Sequence, residues 1–82
     1  MRISNDATVK EFEAAIEKCK GNVYLIDPMG SKLDLKSLFS RYVSIGKLLD
    51  QEGDKLELFC DNKSDEVHFL KFFNDNPDVL KN

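Results

Sequence analysis

The sequence has no tryptophan, one histidine, two cysteines and two prolines, and none of its apolar runs approaches the roughly 18 residues of a membrane span. Each scarcity removes a class of function. Without a long apolar run, no membrane partner is expected. Positive charge is also short: 12 Lys and Arg stand against 15 Asp and Glu, for a net charge of -3. Nucleic acids and anionic membranes both reward an excess of cations, so neither is an expected partner. Cys19 and Cys60 lie far apart, in no Cys-x-x-Cys pair and no Cys/His cluster. They read as two reduced thiols packed as small apolar groups, with no metal site and no cofactor implied. The N-terminal stretch Met1 to Lys10 lacks the apolar core of a secretory signal, which with the thiols points to a cytoplasmic chain. No nucleophile–base–orienter set and no glycine-rich phosphate loop is present, so an enzyme is not expected.

What remains is a composition suited to one small domain spanning 1–82, with 41% hydrophobic and 33% charged residues. A core of that size supports a stability of roughly 5 kcal/mol. Arg2 to Ser4 is read as a short edge strand. Thr8 and Glu11 form a capping box, and Val9, Phe12, Ile16 and Cys19 recur at spacings of three and four behind it, with Ala15 on the flank. This predicts a helix of about 12 residues stopped by a left-handed Gly21. Asn22 to Asp27 reads as a strand, Asp27-Pro28-Met29-Gly30 as a turn, and Lys32 to Leu35 as the returning strand, its leucines inward and Asp34 outward.

Ser37 opens a second helix from Leu38 to about Gln51, with Leu38, Tyr42, Ile45 and Leu49 at helical spacing and Phe39 and Val43 widening the stripe. Gly46 weakens it, and Glu52-Gly53-Asp54 closes it. Lys55 to Cys60 alternates as a strand with Leu56, Leu58 and Cys60 inward. Ser64 caps a last helix with Asp65 and Glu66 in its first turn. That helix buries either Val67, Leu70 and Phe73 or Phe69, Phe72 and Phe73, and it ends at Pro77, beyond which the tail frays. The predicted order is βαββαβα, an α+β open-faced sandwich of mostly antiparallel sheet with helices on one face.

From Lys32 through Phe39, with Ser44-Ile45-Gly46 behind, the chain resembles the strand-to-helix stretch of the HPr family, the small phosphocarriers of the bacterial sugar phosphotransferase system. Gly53 to Leu58 resembles that family's last strand, and Ser64-Asp65-Glu66 the acidic start of its last helix. The resemblance implies an HPr-like sandwich and a place in phosphotransferase regulation. The family's phosphoacceptor histidine stands in a His-Ala-Arg-Pro motif ahead of the first helix, where this chain has Asp6-Ala7-Thr8-Val9. Imidazole nucleophile and phosphate-neutralising arginine are both missing, so histidine phosphotransfer is not expected. Asp6 occupies the degenerate acceptor position. About four residues more than usual also separate Ser37 from the last strand.

The resemblance implies two further roles. Ser37 matches a serine that an ATP-dependent kinase phosphorylates in Gram-positive members of the family. Lys36, Leu38, Phe39 and Tyr42 match the helix face that docks onto protein partners. Against these stand plainer readings: Ser37 as a helix cap, and Leu38 and Tyr42 as core. Three functions therefore compete. They are a regulatory interaction domain without phosphotransfer, a phosphocarrier with Asp6 or His68 as acceptor, and a module binding a small molecule or peptide.

Overall fold

A computed structural model describes residues 3, 5–49 and 55–80. Helix α1 runs from Asp6 to Lys18 and is capped by Asn5 rather than Thr8: Asn5 Oδ1 accepts from the Thr8 N–H at 2.9 Å and the Thr8 hydroxyl at 3.0 Å. An asparagine in extended backbone satisfies the first-turn donors as well as threonine does, so the helix starts two residues before Thr8. Its buried stripe is the expected one, Val9, Phe12, Ala15 and Ile16. The stop differs. Cys19 turns extended, and Gly21 has no positive φ. Gly21 is needed for closeness instead, because a Cβ there would lie 3.0 Å from Cβ of Asn62.

Strands β1 (Val23–Ile26) and β2 (Lys32–Asp34) form the predicted hairpin, and β3 (Glu57–Cys60) completes an antiparallel three-stranded sheet in the order β2-β1-β3. The turn follows its sequence. Asp27 Oδ1 accepts from the N–H groups of Met29 and Ser31, and Gly30 takes φ 87°, which a side chain would resist. Leu25 pairs with Leu33 and Leu58, placing Val23, Leu25 and Leu35 in the core. The opposite row pairs Tyr24 with Phe59, their rings 6.5 Å apart under the Lys32 ammonium. Asp34 is half-buried, its carboxylate accepting from the Lys36 N–H. The expected edge strand at Arg2 to Ser4 is not seen at Ile3, which is buried and in no strand, its N–H donating to the Leu48 carbonyl at 3.0 Å. Arg2 and Ser4 lie outside the described residues.

Helix α2 (Leu38–Leu49) continues through Gly46 without a break, although glycine costs an interior helical position about 1 kcal/mol against alanine. Its rotation overturns the expected core stripe. Arg41, Ser44 and Leu48 point inward, with Ile45 half-buried, whereas Leu38, Tyr42 and Leu49 are exposed. The cause is Arg41. Its Nε donates to the Leu35 carbonyl at 2.8 Å and its Nη1 to Glu17 Oε1 at 2.6 Å, fixing one face of α2 against the β2 end and α1. Gln51 and the Glu52 to Asp54 closure lie outside the described residues.

Helix α3 (Glu66–Asp75) buries Phe69 and Phe72, whose rings pack on Phe12 at 5.8 and 5.5 Å, while Val67 and Leu70 are exposed. A 3-10 turn, Lys63–Asp65, precedes it, and Asn62, not Ser64, supplies the capping oxygen there. Asp65 is not a solvated first-turn acid. It is buried, and its carboxylate accepts from the N–H groups of Lys20 and Gly21 at 2.9 and 2.8 Å, tying the α1–β1 connection to α3. The tail does not fray at Pro77. Pro77–Leu80 form another 3-10 turn with Val79 in the core.

Candidate functional site

The exposed side of α2 is the most distinctive surface among the described residues. Every exposed residue of that helix, Leu38, Phe39, Tyr42, Val43, Gly46 and Leu49, is uncharged, in a chain one-third charged overall. Phe39 is 78% exposed, Tyr42 69% and Leu38 64%. The two cations of the helix are turned away: Arg41 is buried, and Lys47 Nζ lies 4.0 Å from the Asp27 carboxylate. With Arg41 turned inward, the two residues that follow it, Tyr42 and Val43, lie about 100° and 200° round the helix and fall on the outside. Such an aromatic and aliphatic patch is what protein interfaces are built from, and it costs solubility when left uncovered.

Ser37 sits at the start of this face. Its carbonyl accepts the Arg41 N–H at 2.8 Å, so it is the N-cap residue by backbone, and its own N–H donates to the Asp34 carbonyl. Among the described residues its hydroxyl makes no hydrogen bond to the first-turn N–H groups, so those donors stay available to an anion. The side chain is half-buried. Lys36 is not a free cation beside it, since its ammonium donates to the Cys19 carbonyl at 2.6 Å.

The other candidate residues lie elsewhere. Contacts of Arg41 with Glu17 and of Ile3 with Leu48 run α2 back along α1, so Ser37 is near the C-terminal end of α1. Asp6 opens α1 at the far end, about 20 Å away along a 13-residue helix, and is exposed. His68 is half-buried on α3, in a groove of about 380 Å³ between α1 and α3 that Lys18, Lys71, Glu11 and Asp75 also line. The structure thus gathers Ser37, Leu38, Phe39 and Tyr42 and leaves Asp6 and His68 apart from them.

Charge elsewhere is tied to structure. Two backbone hydrogen bonds hold the Asp65 carboxyl below its usual range, against the opposing effect of burial. Burial pushes the Cys19 thiol up and the Cys60 thiol up to about 11, so both are protonated and poorly nucleophilic at neutral pH. No group of three His, Cys, Asp or Glu side chains able to hold a metal ion occurs among the described residues. No helix among them is long and apolar enough to cross a membrane.

Sequence reasoning missed Arg41 and Asp65, the two charged groups that fix how α2 and α3 sit. For Arg41 a signal existed. Arg41, Ser44, Ile45 and Leu48 also follow helical spacing, a stripe competing with the more apolar one. Nothing local marks Asp65, whose partners lie 44 and 45 positions away. No family model, no curated protein and no solved structure matches the chain.

Proposed function

We propose that the chain is an HPr-like regulatory domain that has lost histidine phosphotransfer and acts in the cytoplasm by docking onto protein partners through α2, with Ser37 as its phosphorylation switch. The observation that carries this reading is the uncharged, exposed α2 face that begins directly after Ser37. A helix held by Arg41 on one side and apolar on the other offers a rigid ridge for a partner. The α+β arrangement, with an antiparallel sheet behind the helices, is compatible with an HPr-like sandwich.

A phosphate on Ser37 would meet the free N–H groups and the positive dipole end of α2. The Asp34 carboxylate in the same turn works against it, so the modified helix gains little stability and the main consequence is a changed docking surface. In this reading Asp6 and His68 carry no phosphate, since each stands away from the Ser37 face.

Intact mass after incubation with ATP and a bacterial HPr serine kinase tests the proposal. Expected are one phosphate per chain, none in Ser37→Ala, and slower uptake in Phe39→Ser because the kinase must seat on α2. No phosphate on the wild-type chain removes the switch. Transfer from phosphoenolpyruvate through the first enzyme of the phosphotransferase system, onto Asp6 or His68, would overturn the reading altogether.

A further inference from the structure

The two edges of the sheet are unlike. Among the described residues β3 pairs with β1 alone, so its other side is open. Hydrogen bonds fix which of its backbone groups are left over. The Asp61 N–H donates to the Asn22 carbonyl at 3.1 Å, in the same register that sets Phe59 opposite Tyr24 and Glu57 opposite Ile26. Bonded pairs alternate along an antiparallel ladder, so Glu57, Phe59 and Asp61 face β1, whereas Leu58 and Cys60 turn their N–H and C=O groups away from it. No hydrogen bond from a described residue reaches those four groups. By the same alternation the outward residues of β2 are Lys32 and Asp34, both charged, and α2 packs alongside them. The middle of β3, Leu58-Phe59-Cys60, carries neither charge nor proline, so nothing in it repels an added strand.

Beside this edge runs a groove of about 340 Å³ lined by Leu58, Phe59, Cys60, Phe69, Leu70 and Phe73. Successive strand residues point to opposite sides of a sheet, so a groove touching all three strand residues lies at the edge and not over one face. Helix α3 forms its far wall, where Leu70 is 64% exposed. A strand laid antiparallel to β3 sets two of its residues opposite Leu58 and Cys60, about 7 Å apart. Those two direct their N–H and C=O groups at β3, and their side chains, on the core side of the sheet with Leu58, towards α3. Edge and groove together thus match one ligand chemistry, an extended backbone with apolar side chains at every second position. The charged part of the lining, Asp61 and Glu66 against Lys63, is acidic by one and favours cations flanking that pattern. A second copy is the poorer occupant. Its own β3, laid antiparallel with Leu58 opposite Cys60, sets Glu57 against Asp61 at both ends, and like charges directly opposite repel.

We infer that the β3 edge and the groove beside α3 bind an extended segment of a partner protein by strand addition, two apolar side chains at alternate positions entering the groove and basic residues flanking them. The site lies at the opposite edge of the sheet from α2. It is a second interaction surface, independent of the proposed docking face.

Two end-blocked probe peptides, Lys-Val-Thr-Val-Lys and Lys-Leu-Thr-Phe-Lys, titrated to about 1 mM into the isotope-labelled full chain, test the inference by NMR. Both are expected to bind, slowing amide exchange at Leu58 and Cys60 at least about tenfold at saturation. N-methylation of either valine, whose N–H faces β3, weakens binding at least about tenfold. N-methylation of the central threonine, whose N–H faces away, leaves it within about threefold. These changes leave the protein untouched, so a misfolded variant cannot produce the pattern. Leu70→Gln, with its fold checked by circular dichroism, weakens binding at least about fivefold, and Phe39→Ser on α2 does not change it. Failure of both peptides to bind overturns the inference, as does binding that tolerates methylation of the valines. Protection of Leu58 and Cys60 that needs no peptide and grows with protein concentration would assign the edge to a second copy, and overturns it too.

Discussion

Arg41 fixes which side of α2 faces water, so its removal should damage the fold far more than removal of its ion-pair partner. Its side chain is 7% exposed and that of Glu17 65%, although the pair is only 2.6 Å apart. Arg41→Ala deletes two buried methylenes, worth about 0.8 kcal/mol each, and leaves the Leu35 carbonyl, in a residue with no exposed surface, without its 2.8 Å donor. An unsatisfied buried acceptor costs about 1–3 kcal/mol, part of which is returned because the guanidinium need no longer be desolvated. The net loss is about 3 kcal/mol, more than half of a total stability near 5 kcal/mol. Arg41→Met keeps the apolar stem and should lose about 1–2 kcal/mol. Glu17→Ala breaks an ion pair whose acid lies largely in solvent, so at most about 1 kcal/mol is expected. Urea unfolding of the three variants, with unchanged m-values as the check on two-state behaviour, gives the series directly. A loss under about 0.5 kcal/mol for Arg41→Ala, or Glu17→Ala as costly as Arg41→Ala, would refute the reasoning. In the second case the surface ion pair, not the buried bond to Leu35, would be holding the helix.

Further expectations concern the two faces, the glycines and the buried acid. Phe39→Ser and Tyr42→Ser should leave stability within about 0.5 kcal/mol of wild type, whereas Phe12→Ala, at the centre of the ring cluster with Phe69 and Phe72, should cost about 3–5 kcal/mol and nearly unfold the domain in urea titrations. Gly46→Ala should raise stability by about 0.5–1 kcal/mol, since its Cβ meets nothing, while Gly21→Ala should lower it because its Cβ would press on Asn62. Asp65 has a depressed folded-state value against 3.8 for the free group, so its contribution is fully present above about pH 4 and is lost as pH falls through the folded value. Asp65→Asn should remove that acid-dependent part of the melting-temperature profile, and an unchanged acid limb would show that the carboxylate is not what clamps Lys20 and Gly21.

Where local chemistry decides the outcome, the sequence was enough. Asp27-Pro28-Met29-Gly30 encodes its turn in the residues themselves, and the hairpin of β1 and β2 follows from it. The buried side of α1 was legible for a similar reason, because Val9, Phe12 and Ile16 face charged residues across the helix. Helix α2 was not legible. It is apolar on nearly every side, so hydrophobic spacing cannot choose a rotation, and the choice is made by a guanidinium reaching a carbonyl and a carboxylate on other elements. Of the candidate site, Phe39 was expected outside as a docking residue, whereas the exposure of Leu38 and Tyr42 contradicts the core role that their spacing implies. Asp65 misled because an acid at the start of a helix has an ordinary local explanation, which the distant N–H groups of Lys20 and Gly21 displace.

The most direct test of the docking account is hydroxyl-radical footprinting of the dilute chain, alone and with an HPr serine kinase, read by mass spectrometry at Phe39 and Tyr42 and at Phe12 and Phe72. The account predicts heavy labelling of Phe39 and Tyr42 in the free chain, protection of both when the kinase is bound, and low labelling of Phe12 and Phe72 throughout. Phe39 and Tyr42 as protected as Phe12 in the free chain would contradict the orientation of α2, and labelling unchanged by the kinase would contradict docking on this face.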